Sequence, residues 1–233
     1  MQRPLRKVSW LNMNNVLITG ASGNVGKACW EYCGTLGISP YIYSNRIEKY
    51  IDVWRDVKEL NAWHKDIKFD LVIMAHGYQR LMDMEHYSSS VYRDIMQNNL
   101  HSCVELTVSL VSENRLADNA LIIYMSSIQA TQPRKGRFAY AIAKSGLEAL
   151  ARSVTVELQE RGIRALALRI GQMTKAMKGI EFTPEQMEQF RSKIPFPLVT
   201  HEDIAKLCFT LYEVKSIAGE TIEITSGHRY NIW

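Results

Sequence analysis

Tyr140 and Lys144 stand four positions apart in an alanine- and leucine-rich stretch with helical spacing, so a phenol and an ammonium share one helix face. Ser127 precedes Tyr140 by thirteen positions and follows the apolar run Leu121 to Met125, which reads as a buried strand giving way at Ser126 to a loop. A Pro- and Gly-bearing excursion joins that strand to the helix. A hydroxyl at a strand end, a phenol and an ammonium are thereby brought to one place, and such a trio suits proton transfer to or from an oxygen. A free phenol titrates near ~10, too high for easy shuttling at neutral pH, and a nearby positive charge favours its ionised form.

The elements around this trio alternate between strands and helices. Asn15 to Thr19 is a short apolar strand, and Val25 to Leu36 has helical periodicity until Gly37 stops it. Between them runs Thr19-Gly20-Ala21-Ser22-Gly23-Asn24-Val25-Gly26. A glycine-rich turn from strand to helix lets backbone amides and the helix N-terminus face a pyrophosphate with no Cβ in the way. Ile38 to Tyr43 reads as the second strand, followed by Ser44, Asn45 and Arg46. In a dinucleotide fold an acid at this strand end selects a free ribose 2′-hydroxyl, whereas an arginine accepts a 2′-phosphate. The absence of an acid here favours NADP(H) over NAD(H).

Lys49 to Val53 reads as a third strand with Asp52 where the chain leaves it, and Trp54 to Lys65 as a helix. Phe69 to Ala75 is a continuous apolar run, as expected of a central parallel strand, and it ends in His76-Gly77. His76 reads as a loop histidine beside the cofactor. Val91 to Asn114 has a long helical pattern interrupted by Asn98 and Asn99, poor helix formers that demand a specific explanation. Arg164 to Ile170 is the next strand, ending in Gly171-Gln172. Residues Met173 to Thr200 then break the alternation and carry Lys175, Lys178, Arg191 and Lys193. An insertion beyond a strand's carboxyl end lies where open α/β sheets bind ligand, so it reads as a substrate lid. A helix over 202–214 and a strand from Thr221 to Thr225 finish the chain. This order predicts an α/β fold, a Rossmann-type doubly wound parallel sheet with helices on both faces.

The chain has 233 residues, 46% of them hydrophobic, which suits one large domain over 14–233 after an N-terminal extension of residues 1–13. A formal net charge of +4 with scattered basic residues favours anionic ligands weakly and gives no case for nucleic acid. The four cysteines, Cys29, Cys33, Cys103 and Cys208, lack the paired spacing of zinc sites, so no metal is expected and they read as reduced thiols of a cytoplasmic protein. No apolar run approaches the ~20 residues that span a bilayer, and no signal peptide is evident, so no membrane partner is expected.

From Asn15 to about Gly227 the order and spacing of these motifs resemble the short-chain dehydrogenase/reductase family. Thr19 to Gly26 is similar to that family's nucleotide turn, Asp52-Val53 to its adenine-contacting pair, Asn99-Leu100 to its helix-four Asn, Ser127 to its serine, and Tyr140-Ala-Ile-Ala-Lys144 to its YxxxK. Departures are Asn24 in the middle-glycine slot of the single-domain branch, Met74-Ala75-His76-Gly77 for NNAG, Ile170-Gly171 for Pro-Gly, and Lys175 for a threonine, with Thr174 one position early. The resemblance implies that Ser127 holds the substrate oxygen and that Tyr140 is the acid. It further implies that Lys144 binds the nicotinamide ribose, and that Asn99 anchors a water in the proton relay. Ala75, His76, Gly77, Gly171 and Met173 fall where that family meets its cofactor.

The function so implied is an NADP(H)-dependent interconversion of a carbonyl and a secondary alcohol on a small, polar, anionic or sugar-like metabolite, by a homodimer or homotetramer. Two alternatives reuse the fold: a sugar-nucleotide epimerase or dehydratase with retained NAD, and a non-catalytic dinucleotide-sensing protein. The first would carry a longer C-terminal part after Gly171. The second would be expected to have lost the tyrosine.

Overall fold

The computed structural model describes residues 13–43, 53–54, 66–174, 183–194 and 196–227. Ser44, Asn45, Arg46, Asp52, Lys175, Lys178 and residues 55–65 of the expected helix lie outside the described residues, as do residues 1–12 of the expected extension; Trp54, expected to open that helix, instead ends a strand, paired with Tyr43. Among the described residues the strands are β1 (Val16–Thr19), β2 (Tyr41–Tyr43), β3 (Val53–Trp54), β4 (Phe69–Met74), β5 (Leu116–Ser127), β6 (Arg164–Ile170) and β7 (Thr221–Ile224). They form one parallel sheet in the order β3-β2-β1-β4-β5-β6-β7.

Successive side chains of a strand point to opposite faces, and here both faces are covered. Val16, Ile18, Leu71, Ile73, Leu121, Ile123, Leu166 and Leu168 pack with α1 (Asn24–Thr35) and α6 (His201–Glu213). Leu17, Val72, Met74, Ile122, Tyr124, Ala165 and Ala167 face the opposite layer, where α3 (Ser102–Ser112) and α4 (Phe138–Leu158) lie. This double burial is why these strands read as unbroken apolar runs. Arg164 anchors the end of α6 by donating to the carbonyls of Tyr212, Val214 and Ile217.

β1 pairs with β2 on one side and β4 on the other, with Thr19 opposite Met74. The strand order reverses there, and such a switch point opens a crevice beyond the carboxyl ends of the strands. Every candidate residue that is described lies near this edge.

Four local details differ from the expectation. β2 begins at Tyr41, three residues later than expected, after Ile38 closes α1 by donating to the Cys33 carbonyl. β5 runs from Leu116 through Ser127, so Ser127 closes a strand instead of opening a loop; Asn119 enters it with φ of 65°. The long helix is split into α2 (Ser89–Met96) and α3 by a π-helical segment, Gln97–His101, at the two asparagines. The excursion after β6 contains α5 (Pro184–Lys193), capped reciprocally by Thr183 and Gln186. It leaves and returns through a parallel bridge between Met173 and Val199.

Candidate active site

Ser127 ends β5 and caps the short turn Ile128–Ala130 by accepting from the Gln129 amide at 3.3 Å. Its hydroxyl also acts on the phenol of Tyr140, in the first turn of α4, by favouring the ionised form. Lys144 lies one turn further along; both side chains are buried. Nζ of Lys144 donates to the Met125 carbonyl at 2.7 Å and stands 5.4 Å from the centroid of the Tyr140 ring.

Burial raises the Tyr140 phenol, and the hydrogen bond with Ser127 and the positive charge of Arg137 pull it back. The sequence pointed to Lys144 as the cation acting on Tyr140. The structure adds Arg137 as a second cation acting on the phenol, and Lys144 is held in place by a backbone carbonyl. Burial also disfavours the ammonium itself and lowers it from its ordinary value of 10.5 to about 8.

Asn99 is fully buried in the π-helical segment. Its amide donates to the carbonyls of Ile95 (2.8 Å) and Tyr78 (2.6 Å), and its Oδ1 accepts from the Tyr78 amide at 3.2 Å. The side chain therefore clamps the loop leaving β4 onto the helix, which explains an asparagine in a helix interior. A Cβ at Gly77 would lie 3.0 Å from Asn99 Oδ1 and 3.5 Å from Lys144 Nζ, so the bare backbone passes between the two groups.

His76 ties the nucleotide turn to this cluster. Its Nδ1 lies 2.5 Å from Thr19 Oγ1 and its Nε2 lies 2.8 Å from Ser102 Oγ. Burial and the nearby Lys144 charge lower the imidazole from 6.5 to about 4. It is thus neutral near pH 7 and works as a clamp between β1 and α3, not as a base.

The turn from Thr19 to Gly26 fits a dinucleotide. Gly20 has φ of +66°, and a Cβ there would meet His76 Cα at 2.7 Å; one at Gly26 would stand 2.4 Å from the Gly20 carbonyl oxygen. α1 starts at Asn24 with Gly23 as N-cap, no side-chain cap and no acid in its first turn. The N-terminal end of a helix favours an anion, and Ser22, Gly23 and Val25 lie half-buried beside this one. Ala75 ends the β4 run half-buried, and Gly171, donating to the Ile224 carbonyl at 2.9 Å, begins the segment toward Met173. Residues from Thr19, Ala75 to Gly77, Asn99, Ser127, Tyr140, Lys144 and Gly171 to Met173 thus share the carboxyl edge of the sheet.

Sequence reasoning missed the support behind this cluster. Ser126 Oγ donates to Glu148 Oε1 at 2.8 Å and lies 3.2 Å from the Lys144 carbonyl. Glu148 takes a bidentate pair from Arg169, at 2.9 and 2.6 Å, and Arg169 also binds Glu223. Ser126, Arg169 and Glu223 are register partners across β5, β6 and β7. The available signal was an arginine inside the apolar run RALALRI and a glutamate one turn beyond Lys144.

The family model described as enoyl-(acyl carrier protein) reductase matches residues 50–229. The 3-oxoacyl-[acyl-carrier-protein] reductase of Buchnera aphidicola subsp. Baizongia pistaciae is 24% identical over 223 residues, covering 93% of this chain and 88% of that one. The enzyme of that name from Escherichia coli is 24% identical over 238 residues, covering 91% and 95%. Among solved structures, a short chain dehydrogenase family protein from Francisella tularensis superposes with a TM-score of 0.81 at 20% identity, over 94% of this chain and 99% of that chain. A short-chain dehydrogenase/reductase from Serratia marcescens gives 0.79 at 15% identity, over 92% and 97%. The chain belongs to the short-chain dehydrogenase/reductase family. It is an NAD(P)-dependent oxidoreductase of CH–OH and C=O groups.

Without the Glu148 carboxylate the largely buried Arg169 keeps Glu223 alone, so its charge is only partly compensated. Glu148→Gln should therefore destabilise the protein by on the order of 3 kcal/mol, read by calorimetry as a Tm lower by roughly 6–12 °C. An unchanged Tm would show that Arg169 does not depend on Glu148.

Proposed function

We propose that this protein is an NADP(H)-dependent reductase that interconverts a carbonyl and a secondary alcohol on a small polar, anionic metabolite. The observation that carries the reading is the burial of Tyr140 and Lys144 together, one turn apart on α4, against the end of β5 that Ser127 closes. The bound nicotinamide supplies or accepts the hydride. Ser127 and Tyr140 hold the substrate oxygen, and Tyr140 gives its proton to that oxygen as negative charge develops. Lys144 and Arg137 stabilise the resulting phenolate, and Lys144 also meets the nicotinamide ribose. Asn99 fixes the loop and helix between which a water can return the proton.

The turn from Thr19 to Gly26 holds the pyrophosphate, Asp52 meets the adenine, and Ser44, Asn45 and Arg46 hold a 2′-phosphate. What supports NADP(H) is that β2 ends at Tyr43 and no acid follows among the next three residues. Ala75 to Gly77 and Gly171 to Met173 flank the nicotinamide, and the segment from Met173 to Thr200 covers the substrate. The names of the curated relatives favour a second reading of the substrate, a 3-oxoacyl group. Exposed Tyr92, Val108, Ile142 and Val156 on α2, α3 and α4 support a homodimer or homotetramer built on these helices. Four buried free thiols support a reducing, cytoplasmic setting, and no helix among the described residues is long and apolar enough to cross a membrane.

In a screen that follows NADPH absorbance with carbonyl compounds, Tyr140→Phe should lose roughly 10²–10⁴-fold in kcat; full retention of turnover would contradict the assigned acid. Direct titration should give tighter binding of NADPH than NADH, and Arg46→Ala should weaken NADPH alone by about tenfold to a hundredfold. Equal affinities in the unsubstituted protein would exclude the NADP(H) preference.

A further inference from the structure

Arg137 ends the loop that delivers the chain into α4, three residues before Tyr140. Gln79 lies on the opposite loop, two residues beyond Gly77. The two loops are joined by a bond from the Met82 amide to the Gly136 carbonyl at 3.1 Å, and above all by Arg137 Nη1 donating to Gln79 Oε1 at 2.6 Å. A guanidinium has no acceptor, so that bond fixes which end of the Gln79 amide is oxygen. The other end, Nε2, is buried and has no hydrogen-bond partner among the described residues. A buried donor without an acceptor is costly and asks for an explanation.

The charges nearby sharpen the case. Lys135 on the same loop pairs with Asp83 at 3.4 Å, whereas no carboxylate among the described residues stands within ion-pair distance of Arg137. Arg137 caps the helix that carries Tyr140, and Gln79 follows the Gly77 backbone that passes between Asn99 and Lys144, so both loops lead to the cluster; the positive charge of Arg137 also favours the ionised phenol. A partly desolvated guanidinium and a buried amide N–H therefore sit side by side on the two loops that lead into Tyr140 and out of Gly77. Both are donors, and their shared complement is an anion with more than one oxygen.

We propose that Arg137 and Gln79 form a subsite for an oxyanion, a carboxylate or phosphate carried by the carbonyl substrate close to its reacting oxygen. The inference rests on the reductase reading above and narrows its substrate class. The oxyanion accepts from the guanidinium and from Gln79 Nε2, and so holds the adjacent carbonyl against Ser127 and Tyr140. The wide family scaffold is thereby directed toward oxo acids or phosphorylated ketones and away from neutral ketones of the same size.

The test uses matched pairs that differ by one oxyanion: 3-oxobutanoate with its methyl ester, and dihydroxyacetone phosphate with dihydroxyacetone. Binding to the full-length Tyr140→Phe protein loaded with NADPH is measured by calorimetry, and turnover by the unsubstituted enzyme is measured alongside. At least one pair should show a preference of about tenfold or more for the charged member, and the pair preferred tells carboxylate from phosphate. Arg137→Met should reduce that ratio to about threefold or less. Gln79→Glu keeps the acceptor that Arg137 needs but places a carboxylate in the subsite, so it too should abolish the preference. A purely structural bridge would be strengthened by Gln79→Glu, and the preference would survive. Equal binding of the charged and neutral members in both pairs, or ratios unmoved by both substitutions, overturns the subsite even if neutral ketones are reduced. Charged-member binding that depends on Arg137 without turnover of any carbonyl compound upholds the subsite and removes the reductase reading.

Discussion

The docking of α4 on the carboxyl end of β5 is the constraint on which the rest depends. Ser127 belongs to the strand and Tyr140 and Lys144 to the helix, so their chemistry exists only while the two elements keep one register. Lys144 Nζ on the Met125 carbonyl makes that contact at one point, and Ser126 with Glu148 makes it one turn further on. The second contact is backed by the Arg169 and Glu223 charges, which extend the anchor across β6 and β7. Helix position is thereby set by charged, directional bonds in addition to the apolar packing of Leu147, Ala151 and Val154. Apolar packing tolerates small sliding motions, whereas a bidentate arginine does not.

The same anchoring fixes the electrostatics. A lysine held among buried groups and a backbone carbonyl loses water without gaining a carboxylate, so its ammonium is disfavoured and its proton becomes exchangeable near neutral pH. His76 is disfavoured as a cation by the same burial and by the same lysine, which keeps it a neutral link between Thr19 and Ser102. The nucleotide turn, the loop after β4 and the π-helical segment are consequently bound to one another through Thr19, His76, Ser102 and Asn99. The turn after β1 and the segment that holds Asn99 beside Lys144 are thereby mechanically joined.

Much of this was legible in the chain itself, because the relevant signals are local. Tyr140 and Lys144 declare a shared face by spacing alone, and β1, β4 and β6 declare double burial by unbroken apolar runs. The glycines at 20, 23 and 26 marked a turn whose close contacts the structure displays. Asn99 was marked as anomalous, but its task, a clamp on Tyr78, joins residues 21 apart and leaves no pattern in sequence. The Glu148–Arg169–Glu223 network and the Arg137–Gln79 bridge are likewise tertiary, assembled from residues that each look like ordinary polar or charged surface positions. Helix α5 is legible in Thr183-Pro184 and Gln186, a capping signature inside a segment that otherwise breaks the strand–helix alternation.

Lys144 gives the most direct measurement. Its folded value of about 8 lies below the ordinary 10.5, so the charged form, which the proposed mechanism requires, is half lost at about 8 and declines further as pH rises through that value. The pH dependence of kcat/KM for the cofactor reports groups of the free enzyme. In the direction of carbonyl reduction it should show a falling limb centred near 8. Activity that stays flat to about pH 10, where an ordinary lysine titrates, would contradict a buried, catalytically engaged Lys144.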